Sequence, residues 1–265
     1  MMVNFIGRST NTIRIPGRPI PVGYKILAIC YNGYTLHWLY ISRVESVVSL
    51  IKNPNWSPTA SGVFQLCSML DTHRRYVVHM DNTFATIPLF WELQELSIGG
   101  VGTRRINSPE LPDMLKDKTM TCWNTLTGCI AKAWDTQAIA GNFNLSTDVL
   151  CLRWEDNNIA HFLTTIHNWN EFTLSERRKP GTTSTNVIFT QQVLRNQERK
   201  VLPVPKIVND YNHHMKSVDL VDQRQCQKRW LSKADFLMTN SHWLLVCYLS
   251  HDEISWLIGS YMTTQ

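Results

Sequence analysis

Apolar and polar positions change period several times along the chain, and each change predicts an element. Tyr24 to Tyr31 (YKILAICY) is an apolar run of strand length. Asn32-Gly33 follows it, and Tyr34 to Ser42 (YTLHWLYIS) alternates, so the two runs predict a β-hairpin. Val63, Phe64, Leu66, Cys67 and Leu70 fall near helical spacing behind Ser57-Pro58, which predicts a helix from Thr59 or Ala60 to about Leu70. Tyr76 to Met80 is an apolar, β-branched run that ends on Asp81. A helix from about Ile87 to Leu96 carries Pro88 in its first turn, where a missing N–H costs nothing. Ser97 to Thr103 predicts a short strand containing Gly99, Gly100 and Gly102. These glycines lack the Lys-Ser/Thr of a P-loop and the strand-to-helix setting of a dinucleotide site, so they do not form a phosphate loop.

From about Arg104 to Lys200 the pattern becomes short β-like pieces, such as Val149 to Trp154 and Ala160 to Ile166, between polar loops. Glu171 to Asn186 is loop-like and includes Arg177-Arg178-Lys179-Pro180. The span 104–200 therefore reads as an insertion subdomain rather than a continuation of the first sheet. Helical patterning returns near Pro203 and Pro205, and Tyr211 to Trp230 reads as a helix. Phe236 to Met262, rich in Leu, Trp and Tyr, reads as helical and core-packed, giving a C-terminal helical segment over 231–265.

Composition narrows the class. The 265 residues are 43% hydrophobic and 18% charged, which suits one large globular domain or two modest ones. A net charge of +5 is a mild basic bias that suits a polyanionic partner. Seven scattered cysteines with no Cys-x-x-Cys pair point to free buried thiols in a reducing compartment. No secretory signal and no membrane-spanning run is present, which predicts a cytosolic or nuclear protein without a membrane partner.

Asp81 is the leading candidate for chemistry. A rigid strand holds a carboxylate at its tip still, as metal-dependent phosphoryl-transfer sites require. Further acids stand at Asp219 and Asp222, whose i, i+3 spacing puts them on one helix face. From spacing alone, each of the three reads more often as a solvated acid. His213-His214 beside Asp210 could offer a metal ligand, but adjacent helical residues face different directions and a structural role is favoured. Two cationic groups, Arg177, Arg178 and Lys179, and Arg224, Lys228 and Arg229, are candidates for phosphate contact or merely a solvated face. Trp230 and Trp243 read first as core residues and second as base-stacking platforms. No arrangement for Ser- or Cys-based nucleophilic catalysis is recognisable.

Several stretches together resemble the piggyBac transposase family. They are Phe5-Ile6-Gly7-Arg8-Ser9, Gly23-Tyr24-Lys25-Ile26-Leu27, Met80-Asp81-Asn82 with Thr86-Ile87-Pro88-Leu89, and Gly99 to Arg104. Trp154-Glu155-Asp156-Asn157, Thr164-Thr165-Ile166-His167 and Pro203 to Gln223 (PVPKIVNDYNHHMKSVDLVDQ) complete the set. The last is the most specific, a Tyr-Asn pair followed by Val-Asp-x-x-Asp-Gln. The resemblance implies an α/β, RNase H-like fold across 1–265: a mixed sheet flanked by helices, with a β-rich insertion before the last catalytic helix. It also implies a nuclear protein with DNA as partner, and it allows a homodimer. By the same resemblance Asp81, Asp219 and Asp222 match catalytic, metal-holding family positions for Mg²⁺ or Mn²⁺. Hard divalent cations prefer carboxylate oxygens, and two of them about 3.5–4 Å apart serve the attacking and leaving oxygens.

The chain departs from that pattern where the first family aspartate is expected. The stretch reads Cys30-Tyr31-Asn32-Gly33-Tyr34, so Tyr31 replaces the acid. A phenol with an ordinary pKa of about 10 stays neutral at pH 7. Lys216-Ser217 stands in place of a glycine pair before Asp219. The chain is also shorter than the resemblance leads one to expect at both ends. The sequence thus leans away from an active enzyme and towards a catalytically impaired, transposase-derived domain with residual DNA binding. An active metal nuclease with a substituted acid, and a decayed protein-interaction remnant, stay open beside it.

Overall fold

The computed structural model describes residues 2–4, 7, 9–16, 21–41, 56–119, 124–131, 136–138, 148–156, 158–179, 190, 193–217, 220–221 and 245–249; for 2–4, 136–138 and 245–249 it describes the backbone alone. Asp219, Asp222, Arg224, Lys228, Arg229, Trp230 and Trp243 lie outside the described residues.

The hairpin forms where the sequence places it. Strand β3 (Val22–Tyr31) pairs antiparallel with β4 (Tyr34–Ile41). Asn32 and Gly33 turn between them with φ of 45° and 84°, the left-handed pair that a two-residue hairpin needs. Two short strands, β1 (Met2–Asn4) and β2 (Ile13–Arg14), also pair with β3. Helix α1 (Pro58–Ser68) starts on Ser57, whose hydroxyl accepts the Ala60 N–H at 3.2 Å. Strand β5 (Tyr76–Met80) delivers Asp81. Helix α2 (Ile87–Glu95) is capped by the Thr86 hydroxyl, which accepts from the Leu89 N–H at 3.3 Å. Strand β6 (Ile98–Arg104) runs parallel to β5.

The β-like pieces after Arg104 extend this sheet, contrary to the expectation that they stand apart from it. Strand β10 (Ile159–Thr164) pairs with β6, β9 (Val149–Glu155) with β10, β7 (Thr125–Ala131) with β9, and β8 (Thr136–Ala138) with β7. The physical reason is burial on both faces: every residue of β9 is buried, and an edge that apolar finds more strand to pair with. Among the described residues the sheet has eleven strands. Part of the segment expected as a loop is also a strand. Phe172–Arg178 (β11) pairs with β12 (Arg199–Pro205) as a separate two-stranded ribbon. Its alternation of exposed and half-buried residues is real, but charge in Ser175-Glu176-Arg177-Arg178 masks it in the sequence.

Helix α3 (Lys206–His214) begins directly after Pro205, five residues before the predicted start, and ends well before Trp230. Leu220 N–H bonds back to Lys216 O at 3.1 Å. The C-terminal expectation is corrected at one place. Leu245–Leu249 is a strand, β13, inserted between β3 (parallel) and β5 (antiparallel). Its sequence LVCYL carries β-prone side chains, and both of its edges find hydrogen-bonding partners there. The rest of 231–265 lies outside the described residues.

The sheet has two faces with different covers. α1 and α2 pack on one, with Ile29, Val78, Met80, Phe90 and Leu93 fully buried there. Ile207 and Val208 of α3 pack on the other, against Val101, Leu150, Leu152, Trp154 and Phe162. Glycines let the first layer close. A Cβ on Gly100 would lie 3.1 Å from the Phe90 ring, and one on Gly102 would lie 2.6 Å from Ala85 Cβ and 2.9 Å from the Met80 carbonyl oxygen. Their role is close packing of α2 and the Asp81 turn on the sheet, in keeping with the absence of a phosphate loop.

Candidate nucleic-acid interface beside Asp81

Asp81 leaves the end of β5 half-buried, and the chain turns sharply after it. Its carbonyl oxygen accepts N–H groups from Phe84 at 2.9 Å and Ala85 at 3.1 Å, and its Oδ1 accepts the Asn82 N–H at 2.6 Å. Arg104 at the end of β6 clamps this turn. Its Nη1 donates to the carbonyls of Asn82 (3.3 Å) and Ala85 (2.8 Å), its Nε to Ser108 Oγ (2.8 Å) and its Nη2 to Glu110 Oε2 (3.1 Å). Glu110 Oε2 also accepts the Ile87 N–H at the start of α2. The carboxylate at the strand tip is therefore held on a braced loop. Sequence reasoning missed Arg104 and Glu110, although Arg104 ends the glycine-rich strand as a visible charge.

α3 covers the face that Asp81 shares with His79. Tyr211 reaches Thr103 Oγ1 at 3.2 Å and packs edge-on to Phe162. Burial pushes the Tyr211 phenol up to about 12, and the Asp81 charge adds to that shift against the pull of the Thr103 hydrogen bond. His214 lies on His79 with ring centroids 4.7 Å apart. Burial first, then His214 and His167, pushes His79 down to about 3, so the imidazole is neutral. His167 Nε2 donates to Asp210 Oδ2 at 3.0 Å. Burial pushes the Asp210 carboxyl up, yet the His167 hydrogen bond and neighbouring cations carry it below its ordinary value. His213 and His214 diverge as adjacent helical residues do, with His213 exposed. Lys216 is exposed as well.

A cleft of about 610 Å³ opens next to the Asp81 turn. Asn82, Thr103, Arg104, Arg105, Lys118 and His161 are among its lining residues, and among the described residues no carboxylate is. Arg105 Nε donates to Asn82 Oδ1 at 3.1 Å and is otherwise exposed, as is Lys118. His161 donates from Nε2 to Leu115 O at 2.8 Å, and its burial keeps the ring below its ordinary pKa, hence neutral. The chemistry on offer is cationic and amide-rich, suited to phosphate oxygens.

The remaining sequence candidates are placed differently. Through β13, Ile29 shares a row with Met80, and Cys30 with His79. Continuing that register sets Tyr31 in the row of Val78 and Asp81 in the row of Ala28, two strands and three rows apart, or about 14 Å. The expectation that Tyr31 sits close to Asp81 is not met, because β13 comes between β3 and β5 with opposite directions on its two sides. On the ribbon, Arg177 is ion-paired with Asp156, Arg178 Nη2 lies 3.3 Å from Glu198 Oε1, and Arg199 Nη1 lies 3.1 Å from Glu176 Oε2. Among the described residues no group of three or more His, Cys, Asp or Glu side chains could hold a metal ion, and no helix is long and apolar enough to cross a membrane.

Comparison with known proteins places this geometry in context. A family model described as Transposase IS4 matches residues 1–244. The cryo-EM structure of a piggyBac transposase synaptic complex with hairpin DNA is similar to this chain with a TM-score of 0.57 at 19% sequence identity. The likeness covers 91% of this chain and 41% of that one, so the chain spans well under half the length of the protein it matches. At that identity the likeness shows a shared mixed α/β fold.

Proposed function

The chain belongs to the Transposase IS4 family, and from that premise we propose that it is a transposase-derived domain that holds the DNA backbone in the cleft beside Asp81 and lacks two-metal strand transfer. The observation that carries this reading is the cleft lining: Arg105 and Lys118 with the amide of Asn82, and no acid among the described lining residues. Cations converging on a concave surface release counterions from DNA when they neutralise phosphates, which gives binding without sequence readout. The solved relative is a piggyBac transposase in a synaptic complex with hairpin DNA, and DNA as partner of this chain is part of the proposal.

The impaired chemistry rests on the acids. Divalent Mg²⁺ or Mn²⁺, when bound by three carboxylates, would activate the attacking oxygen and stabilise the leaving one. Asp81 is the one described member of the family set, with Asp219 and Asp222 as its proposed companions. Two of the three proposed ligands lie outside the described residues, and Tyr31 stands in the first family position, where a phenol replaces a carboxylate. The finer fold proposal is an RNase H-like core, with 231–265 as its C-terminal segment. Nuclear location and a homodimer belong to the same reading.

Fluorescence anisotropy of a labelled duplex, titrated with the full chain at about 50 and about 200 mM salt, tests the binding claim. The expected result is affinity that falls steeply with salt and drops about thirtyfold in the double variant Arg105→Ala, Lys118→Ala, each phosphate contact being worth about 1 kcal/mol. No binding at low salt would remove the DNA reading. A nicking assay with Mn²⁺ tests the chemistry. Nicking by the wild type that Asp81→Ala abolishes would replace the impaired reading with an active nuclease.

A further inference from the structure

Two buried thiols that the proposed function does not use face each other near the far edge of the sheet. Cys129 on β7 and Cys151 on β9 are direct partners in the antiparallel register. Both are fully buried, and both point to the α1–α2 side of the sheet with Ala131, Val149 and Leu163. Directly opposed residues of an antiparallel pair have Cα atoms about 4.5–5.5 Å apart, inside the span of about 4.4–6.8 Å that a disulfide bridges. Each thiol's ionisation is linked first to the other's. The other described buried cysteines are placed otherwise: Cys30 is opposite Thr35 in the β3–β4 register, and Cys67 is on α1. We infer that Cys129 and Cys151 are a vicinal thiol pair that a peroxide converts to a cross-strand disulfide, an oxidation site that staples β7 to β9.

The chemistry is asymmetric. The hydrogen bond from Cys151 holds the Cys129 thiol below its ordinary value, against burial, while Cys151 is pushed up by that same hydrogen bond, by burial and by the Cys129 charge. Cys129 is therefore the attacking thiolate. Its sulfur takes one peroxide oxygen; the O–O bond breaks, and the hydroxide released takes up a proton and leaves as water. The Cys151 sulfur then attacks the resulting sulfenic acid. An S–S bond forms, the S–O bond breaks, and the Cys151 proton leaves with the hydroxyl as a second water. Two thiols lose two electrons, and one peroxide becomes two waters.

Access sets the rate. β7 is covered on its outer side by the three-residue strand β8, whose Ala138 pairs with Cys129. Both thiols lie in the packed layer on one face of the sheet, so a peroxide reaches them only when that layer opens locally. Oxidation follows that opening, and it is slower than oxidation of an exposed thiol but needs no global unfolding.

The test is a thiol map of the full chain. Protein treated with hydrogen peroxide is denatured, its free thiols are blocked with iodoacetamide, and its peptides are separated with and without reductant. The expected result is one peptide joining residues 129 and 151, lost on reduction, and a rise in melting temperature that dithiothreitol reverses. Cys129→Ser and Cys151→Ser each remove the joined peptide, whereas Cys67→Ser keeps it. Recovery of Cys129 and Cys151 both as blocked free thiols after peroxide would overturn the inference, as would links scattered evenly over all the cysteines. The wild-type map decides the matter by itself if a variant fails to fold.

Discussion

The Asp81 turn and the β11–β12 ribbon both carry charges that the sequence marks for function, and the structure uses those charges differently. At the turn, Arg104 is largely buried and spends four hydrogen bonds on two carbonyls, a hydroxyl and a carboxylate. It fixes a loop, and the exposed Arg105 and Lys118 beside it keep their charge for a ligand. On the ribbon, Arg178 and Glu198 are 70% and 72% exposed, and Arg199 and Glu176 pair across the strands. Those two arginines are matched by anions in high dielectric, so they present little net charge to a polyanion. A run of basic residues says little until its acids are placed. The basic residues that stand next to a braced backbone and face a cleft without acids are the better candidates.

The largest expected effect breaks this contrast at its centre. Arg104→Met should lower stability by about 3 kcal/mol, because two backbone carbonyls and Glu110 lose a buried partner. Arg178→Met should change it by less than about 0.5 kcal/mol. Urea unfolding of both variants measures the difference, and equal losses would show that Arg104 is no more structural than a ribbon arginine. Gly102→Ala follows closely. Its new methyl meets the Met80 carbonyl oxygen and Ala85, and backbone cannot move aside as a side chain can. A loss of about 2 kcal/mol is expected, against less than about 0.5 kcal/mol for Leu174→Ser on the exposed ribbon face.

The pH response comes from the face that α3 covers. His79 is neutral in the fold with a value of about 3, against 6.5 for a free imidazole. Between those values the unfolded chain binds a proton that the folded chain refuses, so stability rises with pH and is lost as pH falls below 6.5. From pH 7 to pH 5 this histidine alone accounts for about 2 kcal/mol, and His161 and His214, also lowered by burial, act in the same direction. Urea midpoints measured across that range should fall on acidification. In His79→Phe the fall should be shallower, and an unchanged slope would show that His79 is not the titrating group.

The sequence made the first half of the chain legible because its signals are local. Ser57-Pro58, Asn32-Gly33 and Pro88 each act within one turn, and the elements they bound form within two residues of the expected ends. What stayed hidden is long-range. Nothing local tells that LVCYL at 245–249 leaves a helical context to enter the sheet between β3 and β5, and that insertion is what separates Tyr31 from Asp81. The ribbon was hidden by its charges, and Arg104 by a role that depends on carbonyls nineteen and twenty-two residues away. Asp81 was legible because a strand tip is a local feature; its neighbours Arg105, Lys118 and His161 meet only through β6 and β10 pairing.

The smallest effects are the most discriminating between cleft and ribbon. Each cation that neutralises a phosphate adds about 0.9 to the slope of log affinity against log salt on duplex DNA. Replacing Arg105 and Lys118 together with Ala should therefore reduce that slope by about 1.8, while the melting temperature stays near the wild-type value because both side chains are exposed. Replacing Arg177, Arg178 and Lys179 with Ala should reduce the slope by no more than about 0.9, the share of Lys179, since Arg177 and Arg178 are already matched by Asp156 and Glu198. The triple variant removes three positive charges from the chain and the double variant only two. Simple net-charge attraction would therefore make the ribbon variant the weaker binder. A larger slope change for the ribbon than for the cleft would place the DNA path on β11 and β12 and leave the cleft without a role in binding.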